Sequence, residues 1–145
     1  MISLPRALAD QLLALAEAAY PDEACALLVG QGECITRIVP AENVAPDPRR
    51  HFEVDPATQI RLRRALREAA GPEHPPEEKL PRERLLGHWH SHPDGRAEPS
   101  ATDAASAYEP DLLWLISSVT AGKAMLPAAF AFQSGGFTPL ALQIV

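Results

Sequence analysis

Gly87-His88-Trp89-His90-Ser91-His92-Pro93 decides how this chain folds and what it does. Leu85–His90 has the apolar content of a strand. On a strand, residues i and i+2 point to the same face. His90 and His92 therefore aim two imidazoles at one point about the size of a metal ion, while Trp89 and Ser91 point the other way. Pro93 stops the strand and leaves His92 at its rim. Pro99 and then Ser100-Ala101-Thr102-Asp103 follow. As a helix start, Ser100 is the N-cap and Asp103 sits at N3, a relative of the capping box. That accounts for Ser100 and Asp103 but leaves the paired histidines unexplained. A helix start also fixes Asp103 on a rigid turn, where it could be a third ligand. Three protein ligands leave a fourth position open, the pattern of catalytic zinc. A closed structural site would need cysteines, and none is nearby.

A zinc hydrolase also needs a carboxylate within hydrogen-bond reach of the attacking water. Asp94 and Glu98 are near in the chain. Glu23 is another candidate, at the start of an apolar strand. Spacing alone leaves the three open. His88 shares the face of His90 and could approach the site. His51 and His74 lie in loops and are expected to be solvated.

The 145 residues suit one domain. With 13 Lys+Arg against 19 Asp+Glu, the net charge is −6, which argues against a nucleic-acid partner. No run approaches a membrane span. Residues 1–5 lack the basic region of a signal peptide. Cys25 and Cys34 cannot make a disulfide framework and are expected as small buried thiols. Together these features describe a soluble cytoplasmic protein. Proline is abundant, at 15 residues, and predicts many loops and abrupt element ends.

Residues 4–20 carry a helical stripe of Leu8, Leu12, Leu15 and Ala19, with Ser3 able to cap. Ala24–Val29 and Cys34–Val39 read as a hairpin around Gly30-Gln31-Gly32. Residues 40–50 are a loop, and Phe52-Glu53-Val54 a short strand. Asp55 caps a helix that starts at Pro56 and faces Leu62, Ala65, Leu66 and Ala69 inward. Residues 71–84 are polar and Pro-rich, an exposed loop. A helix spans about 100–107 and a strand Leu112–Val119. Pro127–Gln133 and Phe137–Val145 flank a turn at Ser134-Gly135-Gly136. The sum is an α/β domain of about six strands. Arg49, Arg50, Arg61, Arg63, Arg64 and Arg67 cluster within 49–67 and read as a solvated helix face. The alternative is a patch for an acidic partner.

Glu23, then His90-Ser91-His92-Pro93, then Ser100 and Asp103, resembles the JAMM motif of the MPN-plus metalloproteases. That motif runs Glu, a variable gap, His-Ser/Thr-His, seven residues, Ser, two residues, Asp. Here Pro93–Pro99 and Ala101-Thr102 fill the two fixed gaps. Pro21–Gly30 and Phe52-Glu53-Val54-Asp55-Pro56 look like the same family. Ala26 departs from it, standing where many bacterial members carry Gly, and the 71–84 loop looks longer than in compact members.

The resemblance implies a single MPN (JAMM) domain over 1–145. Its sheet would be curved, mixed or mostly antiparallel, and flanked by helices, as in cytidine deaminases. It implies one Zn²⁺ held by His90, His92 and Asp103, with Glu23 as general base and Ser100 stabilising the oxyanion. It implies hydrolysis of the amide bond after the C-terminal glycine tail of a ubiquitin-like or sulfur-carrier protein. Two other classes stand beside it: a non-catalytic MPN scaffold and a zinc hydrolase of a small amide. A deaminase would need a Pro-Cys-x-x-Cys segment, which this chain lacks.

Overall fold

Leu113-Trp114-Leu115-Ile116-Ser117-Ser118-Val119 is buried at every position, which marks it as a central strand covered on both faces. The computed structural model describes residues 1–70, 82–106, 111–133 and 136–145. In chain order the elements are β1 (Ile2–Leu4), α1 (Arg6–Ala19), β2 (Cys25–Gln31), β3 (Cys34–Ala41), α2 (Pro56–Ala70) and β4 (Arg84–His92). Then come α3 (Ala101–Ser106), β5 (Leu113–Thr120), β6 (Lys123–Ala124), β7 (Ala128–Gln133), β8 (Gly136–Leu140) and β9 (Leu142–Ile144). One sheet runs β8-β7-β5-β4-β2-β3-β1-β9, and β6 pairs with β5 off this path. The β4–β5, β1–β3 and β1–β9 pairs are parallel and the others antiparallel, so the sheet is mixed, as expected.

Strand alternation divides the core. Ala26 and Leu28 of β2, Trp89 of β4 and Leu115 of β5 pack on one side with Ala9, Leu12 and Ala16 of α1. Leu27 and Val29 face the other side, under Leu62 and Leu66 of α2. Trp114, Ile116 and Phe130 form a third cluster, with Phe52 and Phe137 against it. His88 and His90 share the face of this aromatic cluster. Thus the helix-covered core on the Trp89 side backs the strand that carries the paired histidines.

Gly87 sits where β4 and β5 approach closely, and an added Cβ would overlap the carbonyl of Leu113. Gly87→Ala is expected to cost about 3 kcal/mol, the upper end for overpacking. A drop in the midpoint of urea unfolding at unchanged slope checks it.

Several local expectations are corrected. Ser3 is not a cap: its N–H joins Glu33 as part of the β1 pairing, and α1 begins after Pro5 with no side-chain cap. The buried stripe of α1 is centred on Ala9, Leu12 and Ala16, with Leu8, Leu15 and Ala19 at its margins. Gly30 and Gln31 stay in β2. The turn falls on Gly32-Glu33, where Gly32 has φ +57°. Cys34 is exposed, because the pleat sends Ile35 into the core in its place. Phe52–Val54 is no strand; it contributes one bridge, Asn43 to Val54. On α2, Leu62 is buried and Leu66 partly so, whereas Ala65 and Ala69 face solvent. The C-terminal segment divides into β8 and β9, and β9 joins β1 in parallel rather than extending the hairpin. Nine strands are present among the described residues, against six expected.

Residues 71–81 of the Pro-rich loop, with His74, lie outside the described residues. Glu83, at its end, accepts from Thr36 Oγ1 at 2.7 Å and pairs with Arg37 at 3.1 Å, and Arg84 already belongs to β4. Asp55 does cap α2: its Oδ1 accepts from Ala57 N at 3.2 Å.

Candidate metal centre

The C-terminal end of β4 brings His90 and His92 together, Nε2 to Nε2 at 2.9 Å. Asp103, from the first turn of α3, places Oδ2 at 3.2 Å from His90 Nε2 and 3.0 Å from His92 Nε2. Glu23, two residues before β2, offers a carboxylate oxygen within 4.8 Å of the His90 and His92 donors. All four are nearly inaccessible, at 0–5% exposure. Asp94 and Glu98 are exposed and do not join this donor group.

The protons show what the arrangement suits. His92 Nδ1 lies 2.9 Å from the carbonyl oxygen of Arg96, which can only accept, so Nδ1 carries the hydrogen. In a neutral ring, Nε2 of His92 then presents a lone pair to the lone pairs of Asp103 Oδ2 and to Nε2 of His90. That lone pair and the Asp103 oxygen, 3.0 Å apart, repel unless a cation, a proton or a metal ion, lies between them. Glu23 Oε1 is buried with no partner at all. The residues therefore fit one metal ion.

The electrostatics agree. Burial pushes the Glu23 carboxyl up to about 8; His92 opposes this, and Asp103, Asp94 and Asp47 add to it. Burial lowers His90. Burial is the largest single influence on His92 and lowers it, but the hydrogen bond and charge of Asp103, the charge of Glu23 and the Arg96 carbonyl together outweigh it and the ring is raised. Burial would raise Asp103, but hydrogen bonds from His90 and His92 hold it far below the usual carboxylate range.

Ser100 and Asp103 form the reciprocal cap expected. Ser100 N–H donates to Asp103 Oδ2 at 2.8 Å, and Asp103 N–H donates to Ser100 Oγ at 3.0 Å. Ser100 remains exposed, with its hydroxyl hydrogen free to donate. The side chains facing away from the donors also hold the strand: Ser91 Oγ accepts from Ala24 N at 2.8 Å, and Trp89 Nε1 donates to Ser117 Oγ at 2.9 Å.

Phe52 stacks on His90, ring centroids 4.1 Å apart and planes 16° off parallel. With Trp114, His88 and Asp103 it lines a cavity of about 420 Å³ beside the donors. Burial lowers His88 to about 3, so its ring is neutral. His51 also lines this cavity and its Nδ1 is buried without a partner, contrary to the solvated loop residue expected. The contribution of Phe52 and of the Arg96 carbonyl was missed from sequence. Phe52 carried a signal, as an aromatic in an otherwise polar loop; a backbone carbonyl carries none. Arg49, Arg50, Arg61, Arg63, Arg64 and Arg67 are all exposed, on α2 and the loop before it.

Residues 5–132 match the family of prokaryotic homologs of the JAB domain. The chain belongs to that family. The resemblance to JAMM and MPN proteins, drawn from the motif spacing, therefore holds, and so does the fold it implied. Over 100 residues the chain is 34% identical to the desampylase of Haloferax volcanii, covering 68% of this chain and 63% of that protein. It thus spans under two thirds of the length of this curated relative. A protein of Desulfitobacterium hafniense solved in solution is 30% identical, with a TM-score of 0.81 over 100% of this chain and 93% of its own. A JAB1/MPN domain protein from Archaeoglobus fulgidus has the same fold, with a TM-score of 0.59 at 17% identity over 100% and 97% of the two chains. Among the described residues no helix is long and apolar enough to cross a membrane.

Proposed function

We propose that residues 1–145 act as one domain, a cytoplasmic zinc metallopeptidase or isopeptidase. It hydrolyses the amide bond after the C-terminal glycine of a ubiquitin-like or sulfur-carrier protein. The observation that carries this is the convergence of His90 Nε2, His92 Nε2 and Asp103 Oδ2, with the buried, unpartnered Oε1 of Glu23 on the carboxyl beside them. The relative's name, desampylase, denotes removal of a ubiquitin-like modifier, which supports the substrate class. Two free thiols, Cys25 and Cys34, suit a reducing compartment.

His90, His92 and Asp103 would hold the Zn²⁺, a nitrogen and carboxylate set without thiolate. Bound there, Zn²⁺ would supply a Lewis acid able to bring the pKa of water from 15.7 to about 7. Glu23 accepts the proton of the attacking water and delivers it to the leaving nitrogen. Ser100 turns its free hydroxyl hydrogen toward the charge that develops on the carbonyl oxygen. The cavity beside Asp103 admits an extended tail, and glycines let its backbone pass Phe52. Pairing of that backbone with a strand edge would align it.

The test is cleavage of a Gly-Gly-ending ubiquitin-like protein joined through its last glycine to a reporter amine. Cleavage that a chelator stops and Zn²⁺ restores supports the proposal. Zinc binding with turnover of small amides alone moves the chain to the small-amide class. Failure to bind zinc at neutral pH moves it to the scaffold class.

Ser100→Ala separates the two roles of that residue. Loss of the oxyanion donor is expected to lower kcat about 10²–10³-fold. Loss of the cap alone costs about 0.5–2 kcal/mol of stability. A reduced Tm with unchanged kcat assigns Ser100 to the cap only.

A further inference from the structure

Glu23 precedes β2, so its main-chain groups fall outside the sheet ladder. A loop holds them instead. The Glu23 N–H donates to the carbonyl oxygen of Pro48 at 2.7 Å. Its carbonyl accepts from Asn43 Nδ2 at 2.9 Å. The same Nδ2 donates to the His51 carbonyl at 3.0 Å and more weakly to that of Pro48 at 3.5 Å. On its other side, Asn43 Oδ1 accepts from Ala45 N at 3.0 Å and Glu53 N at 3.1 Å. The neck of the loop is closed by Val44 N to Glu53 O at 2.9 Å and Asp55 N to Glu42 O at 3.1 Å. Phe52, which stacks on His90, hangs from this same loop.

An asparagine that only shapes a turn needs its oxygen on a nearby N–H, and Ala45 N already supplies that. The amino group of Asn43 does something further: it reaches a carbonyl 20 residues away, on Glu23 itself. The next residue, Ala24, is clamped from the opposite side, exchanging hydrogen bonds with Ser91 between the two histidines. Glu23 thus stands between two grips, one from the strand of the histidines and one from Asn43.

We propose that Asn43 is a positioning residue, which sets the Glu23 carboxylate against the His90/His92 pair and ties Phe52 to the same support. This rests on Glu23 being the base, as proposed above. Its test compares Asn43→Asp and Asn43→Ala. Asp keeps the accepting oxygen that closes the loop and loses the donors to Glu23. Ala loses both, without adding charge.

For both variants kcat on the reporter-linked carrier should fall about 10–100-fold, the scale expected for a base displaced by an ångström. KM should stay within about twofold and zinc near one per chain, because His90, His92 and Asp103 are untouched. Amide hydrogen exchange of the metal-free protein gives a second readout: the Glu23 N–H should exchange at least about tenfold faster, with Cys25–Val29 unchanged. Unchanged Glu23 exchange and kcat in both variants overturns the proposal. So does faster exchange throughout β2 together with loss of zinc, which would make Asn43 a general structural residue. Wild-type protein that leaves the carrier uncut sinks the proposed reaction, and the exchange of the Glu23 amide then still decides the grip.

Discussion

Glu23→Gln keeps its zinc and loses hydrolysis: kcat falls about 10²–10⁴-fold, the range for removal of a general acid-base group. Glutamine preserves the shape of the side chain and cannot take a proton. His90, His92 and Asp103 remain in place, so metal analysis should still return about one zinc per chain. The same substitution has a second consequence in the metal-free protein. Burial holds the Glu23 carboxyl at about 8, above its ordinary 4.5. A raised acid keeps its proton in the folded state while the unfolded chain has released it. Stability is therefore lost as pH rises from 4.5 to 8. At pH 7 this amounts to about 3 kcal/mol, from 1.36 kcal/mol per pKa unit. Metal-free Glu23→Gln should be more stable than wild type by about that amount at pH 7, and equal to it near pH 4. Urea unfolding at the two pH values reads the difference directly. Activity within tenfold of wild type would remove Glu23 from the role of base, and a stability gap that ignores pH would mean that burial does not raise its carboxyl.

The ligand pair could be read from sequence because its cause is local. Alternation along β4 aligns His90 and His92 whatever the rest of the chain does, and the Ser100/Asp103 cap is closed within one turn. The fold's other features depend on distant partners. The β9–β1 pairing joins the two ends of the chain, and nothing near Leu142 announces it. Cys34 sits in an apolar run, but the position of the Gly32-Glu33 turn sets its face. Ala65 and Ala69 fit a helical stripe, but α2 rests on the sheet mainly through Leu62 and Leu66. Asn43 has the composition of any loop residue; its partner is Glu23, and only the fold brings the two together. The family motif supplied Glu23, since spacing left Asp94 and Glu98 equally open.

The second large effect concerns the metal. The His90→Ala, His92→Ala double variant should bind no zinc, and chelation should leave its Tm unchanged. Wild-type protein should instead lose about 10 °C of Tm on chelation. A metal at about a thousand times its Kd contributes about 4.1 kcal/mol, and each kcal/mol moves a domain of this size by about 2–4 °C.

The pH dependence of that gap follows from the same donors. In the chelated protein His92 is raised, so its ion pair with Asp103 is present below pH 6.5 and is lost as pH rises through its folded value. Asp103 is lowered, so its contribution is already present above its ordinary 3.8 and does not change near neutrality. Glu23, being raised, weakens the chelated protein further over the same rise. Protons also compete with zinc for the imidazole lone pairs, and that competition fades as pH increases. His88 and His90, lowered by burial, are neutral in both forms and cancel from the difference; the remaining terms act in one direction. The Tm difference between zinc-loaded and chelated wild type should widen from pH 6 to pH 8, whereas the double variant shows no difference at either pH. Zinc retained by the double variant, or a gap that narrows with pH, would mean that the metal sits elsewhere than among His90, His92 and Asp103.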